Sequence, residues 1–205
     1  KVHNEVNRDY TQGYELILIG HAGHPEVIGT LGQIPDKFHL VSSVKDVESL
    51  HVEKTQNLSY VTQTTLSVDE CRDIVEALHR RFPNIKGPYQ EDICYGTQNR
   101  QNAVKSLSKL VDVILVIGSP NSSNSNRLRE LGEHCGIPSY LIDAASDINP
   151  DWLKDAKSVG LSAGASAPEV LVTEVVAYLK RLGSSEEVEE LTVIEEDVEF
   201  LLPKE

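Results

Sequence analysis

The 205-residue sequence predicts an α/β fold: two similar small domains with mostly parallel sheets flanked by helices. Short apolar runs alternate along the chain with longer segments whose apolar residues recur at helical spacing. Residues 113–118 (VILVIG) are apolar without alternation, which predicts a strand covered on both faces, as in a parallel sheet. Strand-then-helix alternation implies layers of helix on a parallel sheet, and 40% hydrophobic residues are enough to fill such cores.

The chain opens on KVHNEV, which reads as the middle of a helix with no cap before it, and the sequence contains no Met; both predict a piece of a longer chain. Residues 14–20 (YELILIG) form a buried strand ending in Gly, Phe38–Val41 a weaker one, and Leu58–Thr62 a third. Ser67 precedes a helical stripe of Val68, Cys71, Ile74, Val75, Leu78 and Phe82. Residues 83–90, rich in Pro and Gly, mark a boundary, so that domains are expected at 1–90 and 91–183. In the second half, helices are expected over 100–110, 126–135 and 168–182. Strands are expected at 113–118, Ser139–Ile142 and 158–161. Residues 184–205 read as an extended acidic tail whose end, Val198, Phe200 and Leu202, alternates like an edge strand.

The formal net charge is −13, of which nine acidic residues and one Lys beyond Gly183 supply −8. No basic stripe is present, which disfavours nucleic acid as a partner. No apolar run approaches the ~20 residues of a membrane-spanning helix. The three cysteines, Cys71, Cys94 and Cys135, are scattered and odd in number, which argues against a disulfide framework and fits a reducing compartment. Cys71 and Cys135 lie on apolar stripes and are expected to pack as small hydrophobes. Cys94 follows the expected domain junction and precedes a helix, where a thiolate can serve as metal ligand or nucleophile; burial as a small hydrophobe is the alternative. Tyr95 and Arg100 read equally well as packing and surface.

One feature recurs. A strand ends, a loop of hydroxyl and amide residues follows, and a helix begins: at Thr62 to Ser67 (TQTTLS), at Gly118 to Asn126 (GSPNSSNSN) and at Ser162 to Pro168 (SAGASAP). A His-bearing version lies at Gly20 to Glu26 (GHAGHPE). Ligands of parallel α/β sheets sit beyond the carboxyl ends of the strands, where helix N-termini present free N–H groups. Any one such loop reads as an N-cap. Four of them, with an unbroken Ser/Asn run from Asn121 to Asn126, point instead to an anion site suited to phosphate or diphosphate. His24 and Glu26 flank Pro25 at the start of a helix. There His24 could donate to phosphate and Glu26 could move a proton; equally, Glu26 could complement the helix dipole and His24 could be a satisfied loop residue.

HAGHPEVIGTLGQ, TQTTLSVDE, DICYGTQNRQNAV, GSPNSSNSNRL and VGLSAGASAPE together resemble the LytB-type 4-hydroxy-3-methylbut-2-enyl diphosphate reductase family. The resemblance extends over almost the whole chain up to Leu182. It implies three similar α/β domains around a central cavity, with this chain as the second and third. It implies an iron–sulfur cluster, [4Fe–4S], held by three cysteines, one per domain, of which only Cys94 has a counterpart here. The other two, with two further substrate histidines, would lie upstream, so the chain alone is expected to be inactive and without cluster. Carried over by motif, His24, Ser122, Ser123, Asn124 and Ser166 would hold the diphosphate. Thr64 would position the substrate hydroxyl, Glu26 would be the proton donor, and Cys94 would ligate the cluster.

The implied reaction is reductive dehydroxylation of an allylic diphosphate to isopentenyl and dimethylallyl diphosphates, the last step of the non-mevalonate pathway. Ferredoxin or flavodoxin would be the electron donor, in the bacterial cytoplasm or a plastid stroma. The competing reading is a phosphometabolite-binding α/β module with no redox chemistry.

Overall fold

The computed structural model describes residues 1–35, 38–88, 92–183 and 188–192. They fall into two compact units, Lys1–Gln98 and Asn99–Glu205, and the division lies within the helix Tyr95–Leu107. The 198–202 segment expected to form an edge strand lies outside the described residues.

The first unit runs α1 (Val2–Thr11), β1 (Glu15–Ile19), α2 (Pro25–Leu31), β2 (Phe38–Val41), α3 (Val44–Ser49), β3 (Leu58–Thr62) and α4 (Val68–Arg81). Its strands form a parallel sheet ordered β2-β1-β3, with Leu16 of β1 opposite Phe38 and Ser59. Side chains alternate across a strand, so β1 feeds two cores. Ile17 and Ile19 pack with Val47, Ile74, Leu78 and Phe82 of the α3–α4 side. Leu16 and Leu18 pack with Val2, Val6 and Val27 of the α1–α2 side. Burial of each such side chain stabilises by roughly 1.5–3 kcal/mol. α4 starts where Ser67 Oγ accepts the Glu70 N–H, carries Asp69 and Glu70 in its first turn and ends on His79, Arg80 and Arg81, all favourable to the helix dipole.

The second unit takes up α5 (Tyr95–Leu107), then β4 (Val113–Ile117), α6 (Ser123–His134), β5 (Ser139–Ile142), two short 3-10 turns, β6 (Val159–Ala163) and α7 (Glu169–Leu182). Its parallel sheet is ordered β5-β4-β6, and all five residues of β4 are buried. Val113, Leu115 and Ile117 face Val175 of α7, while Ile114 and Val116 face Val104, Leu128 and Leu131 of α5 and α6.

All six expected strands are present, most within a residue of the expected bounds; β6 runs two residues past its expected end. The helix starts differ for a physical reason. α5 begins five residues before position 100, because the Cys94 carbonyl accepts the Gln98 N–H (3.0 Å) and so opens the helix. α6 begins three residues before position 126, capped by Ser122, and its first turn buries Asn124 and Ser125, polar residues that apolar periodicity cannot register. α3, capped by Ser43, buries only Val47 and was not expected from the pattern. Cys71 is buried as expected, whereas Cys135 is exposed: it is the C-cap of α6, beyond the last turn that packs on the sheet.

At the amino end of β1, Glu15 accepts N–H bonds from Glu53 (2.9 Å) and Lys54 (2.7 Å) and meets His39 Nε2. Burial pushes the Glu15 carboxyl up, but His39 and the two backbone donors outweigh it and hold it below the ordinary carboxylate range. A carboxyl lowered by folding contributes stability above its unfolded value of about 4.3 and loses it as pH falls through the folded value. Urea titrations between pH 7 and pH 3 should therefore show acid destabilisation of the chain, and Glu15→Gln should be less stable at pH 7 and show a shallower loss on acidification.

Candidate functional site

In the first unit the loops that follow β1 and β3 are joined at the carboxyl end of the sheet. The chain leaves β1 through Gly20, where a Cβ would lie 2.8 Å from Val27 Cγ2 and 3.2 Å from Gln63 Oε1, so only Gly fits. Gly23 turns the loop at positive φ (82°), and His24 then caps α2, its Nδ1 accepting the Glu26 N–H at 3.2 Å. Pro25 follows at the first helical position, where its missing N–H costs nothing. This seats Glu26 in the first turn, from which both carboxylate oxygens reach the β3 loop. Oε1 accepts the Thr64 N–H (2.8 Å) and Oε2 accepts the Thr64 hydroxyl (3.1 Å).

Thr64 is a node. Its N–H and hydroxyl bind Glu26, and its carbonyl accepts the Cys94 N–H at 3.3 Å. His24, Glu26, Thr64 and Cys94 are thus linked in an unbroken series of hydrogen bonds and one cap. Cys94 is exposed and stands at the start of α5. Gln63 and Asp92 complete the frame, and neither was expected from the motifs. Gln63 is 2% exposed; its Oε1 accepts the His21 N–H (3.1 Å) and its Nε2 donates to Thr65 Oγ1 (3.0 Å). The buried Asp92 accepts the Thr62 N–H (2.9 Å) and the Lys1 ammonium (2.9 Å). Beside it, burial and then the negative charge of Asp92 raise the Glu5 carboxyl above its ordinary value. A large polar residue directly after a fully buried strand is the signal that could have singled out Gln63.

In the second unit the loop after β4 closes on itself. Ser122 N–H donates to the Ser119 carbonyl (2.9 Å), and Asn126 Nδ2 donates to the carbonyls of Pro120 (2.7 Å) and Ser122 (3.0 Å). Asn126 therefore shapes the loop. Ser122 is the N-cap of α6, its Oγ accepting the Ser125 N–H (3.3 Å) and the Ser125 hydroxyl (3.0 Å). Ser123 is half-buried in the first turn, and Asn124 beside it is 7% exposed.

Both polar atoms of the Asn124 carboxamide are buried without a hydrogen-bond partner. Leaving a buried polar group unpaired costs about 1–3 kcal/mol, so the Asn124 carboxamide can take up a partner that the described residues do not supply. Ser166 is exposed in the turn after β6 that the Ala167 N–H to Gly164 carbonyl bond closes (2.9 Å). That turn is brought to the end of β4 by the Gly164 N–H on the Ile117 carbonyl (2.8 Å). Ser122, Ser123 and Asn124 thus share one helical turn, and the Ser166 loop lies at the end of the adjoining strand. Hydroxyls, a carboxamide and a helix N-terminus in this arrangement can hold an anion.

A [4Fe–4S] cluster needs several thiolates. Among the described residues no three His, Cys, Asp or Glu side chains are grouped to hold a metal. Cys94, exposed at a helix start, suits one ligand position; Cys71, buried under α4, does not. No described helix is long and apolar enough to cross a membrane.

The LytB protein family model matches residues 1–180, and the chain belongs to that family. It is 58% identical over 205 residues to 4-hydroxy-3-methylbut-2-enyl diphosphate reductase 2 of Bradyrhizobium diazoefficiens, covering 100% of this chain and 66% of that protein. It is also 58% identical to the 4-hydroxy-3-methylbut-2-enyl diphosphate reductase of Aromatoleum aromaticum, of which it covers 65%. The solved E-1-hydroxy-2-methyl-but-2-enyl-4-diphosphate reductase from Plasmodium falciparum superposes with a TM-score of 0.81 at 34% identity, over 93% of this chain and 63% of that one. The chain thus spans about two thirds of the length of these relatives.

Gln63→Ala strips the partner from the His21 N–H. It should lower the unfolding free energy by about 1–3 kcal/mol in urea titrations, whereas Asn121→Ala, at an exposed site, should change it by less than about 0.5 kcal/mol.

Proposed function

We propose that the chain is the larger part of a 4-hydroxy-3-methylbut-2-enyl diphosphate reductase, and that its two units supply diphosphate binding, proton delivery and one cluster ligand. The observation that carries the reading is the buried, unpaired Asn124 carboxamide in a turn lined by Ser122 and Ser123. The reductases to which the chain is 58% identical support it. Ser122, Ser123, Asn124 and Ser166, with His24, bind the diphosphate through neutral donors and helix N–H groups, which suits a chain with net charge −13.

Glu26 and Thr64 handle the proton. A Thr hydroxyl both donates and accepts, so a proton on Glu26 Oε2 can pass through Thr64 Oγ1 to a substrate hydroxyl held beside it. Replacing the C–OH bond by C–H takes up two electrons and two protons and releases water. Cys94 is one ligand of an iron–sulfur cluster that, when bound, supplies the electrons, with the remaining ligands outside this chain. Ferredoxin or flavodoxin is the donor, and the bacterial cytoplasm or a plastid stroma the setting.

In the complete reductase, Asn124→Ala should raise KM at least about tenfold with a smaller effect on kcat. Glu26→Gln should lower kcat by about 100-fold with KM little changed. The opposite split would overturn the division of roles. Cys94→Ser should remove the brown iron–sulfur absorbance; unchanged colour would favour a phosphometabolite-binding module without redox chemistry.

A further inference from the structure

The Ser122 hydroxyl has a definite polarity, set by a residue that touches no ligand in the proposed function. A serine hydroxyl offers one donor and two lone pairs. The Ser125 N–H donates to Ser122 Oγ (3.3 Å), and the two hydroxyl oxygens lie 3.0 Å apart. Among the described residues the buried Ser125 hydroxyl meets no other acceptor, so its O–H is directed at Ser122 Oγ and both Ser122 lone pairs are engaged. What is left is the Ser122 O–H. A group that can only donate suits an oxygen that can only accept, which a phosphate oxyanion is and a cation is not.

Ser125 is held for this task. It is 1% exposed. A Cβ on Gly118, at the end of β4, would lie 2.2 Å from its Oγ, and a Cβ on Gly164, at the end of β6, would also lie 2.2 Å from it. The hydroxyl therefore sits in a notch open only because both residues are Gly, between the loop that carries Asn124 and the loop that carries Ser166. Independently, the Asn124 carboxamide one residue away is buried with both polar atoms unpaired, which marks this helix start as a ligand site.

We propose that Ser125 is a positioning residue of the anion site: seated between Gly118 and Gly164, it saturates the Ser122 oxygen and so turns the Ser122 hydroxyl into an outward donor for a diphosphate oxygen. The inference rests on the diphosphate reading above and assigns to that site a residue acting through another.

Calorimetry with inorganic pyrophosphate on the full chain tests it, using Ser122→Ala, Ser125→Ala and the double variant. Each is checked for an unchanged melting transition, and amide NMR follows the pyrophosphate-induced shift of the Asn124 side chain. Ser125→Ala should weaken pyrophosphate binding by about tenfold. The double variant should bind no more weakly than Ser122→Ala alone, because Ser125 acts through Ser122. A merely structural role would multiply the two losses, and that result would overturn the proposal.

Ser125→Ala binding like wild type while Ser122→Ala binds weakly would also overturn it, leaving the diphosphate reading intact. No heat from wild type up to ~10 mM pyrophosphate would remove the reading and the proposal together. If Ser125→Ala does not fold, Gly118→Ala, which displaces the hydroxyl instead of deleting it, is read in its place. Wild-type affinity in a folded Gly118→Ala chain would count decisively against Ser125.

Discussion

Ile17 and Ile19 point to one face of β1, Leu16 and Leu18 to the other, and none of the four is more than 1% exposed. β4 repeats the arrangement with five buried residues in succession. A strand covered on both faces by helices favours apolar side chains along its length, so the hydroxyl- and amide-rich loops of each unit lie beyond the strand ends. Parallel strands also deliver all their carboxyl ends to one edge of the sheet. The Gly20 and Thr62 exits of the first unit are therefore neighbours, as are the Gly118 and Gly164 exits of the second.

Within that constraint the two units do different things with the same device. The first joins its loops by a carboxylate: Glu26 bridges from the start of α2 to Thr64, and Thr64 passes the connection to Cys94 through its carbonyl. These groups are already bonded to one another, as suits the handling of a proton. The second unit joins its strand ends by the Gly164 N–H on the Ile117 carbonyl, seats the Ser125 hydroxyl in a two-glycine notch and leaves the Asn124 carboxamide without a protein partner. An unmet group of that kind suits the holding of a ligand. The acidic balance of the chain does not oppose this, because the donors are neutral and the field at a helix start is local.

Much of this was legible in the residues. The run at β4 announced a strand buried on both faces and those at β1 and β3 announced strands, and the Ser, Thr and Asn loops announced helix starts beyond strand ends. The helix start at Pro25, with Glu26 in its first turn, was legible, whereas His24 as the side-chain cap of α2 was not. Less legible were the residues that hold the loops in place. Gln63, Asp92 and Ser125 are polar side chains buried for geometric reasons, and a periodicity of apolar residues passes over them. The same blindness put the expected start of α6 three residues late, since its first turn buries Asn124 and Ser125 rather than hydrophobes. It also left Cys135 assigned to a stripe of a helix that ends one residue before it.

The sequence by itself determined the parallel α/β class, the alternation of elements, the motifs of a LytB protein and the residue types available for chemistry, because strand and helix periodicity and cap preference are local properties of the chain. Only the tertiary structure decided which of those residues meet. That Glu26 and Thr64, separated by 38 positions, share two hydrogen bonds depends on strand order. That Gly118 and Gly164 both abut the Ser125 hydroxyl depends on how closely two strand ends approach one helix. Distances between residues remote in sequence are set by packing, and no local pattern encodes them.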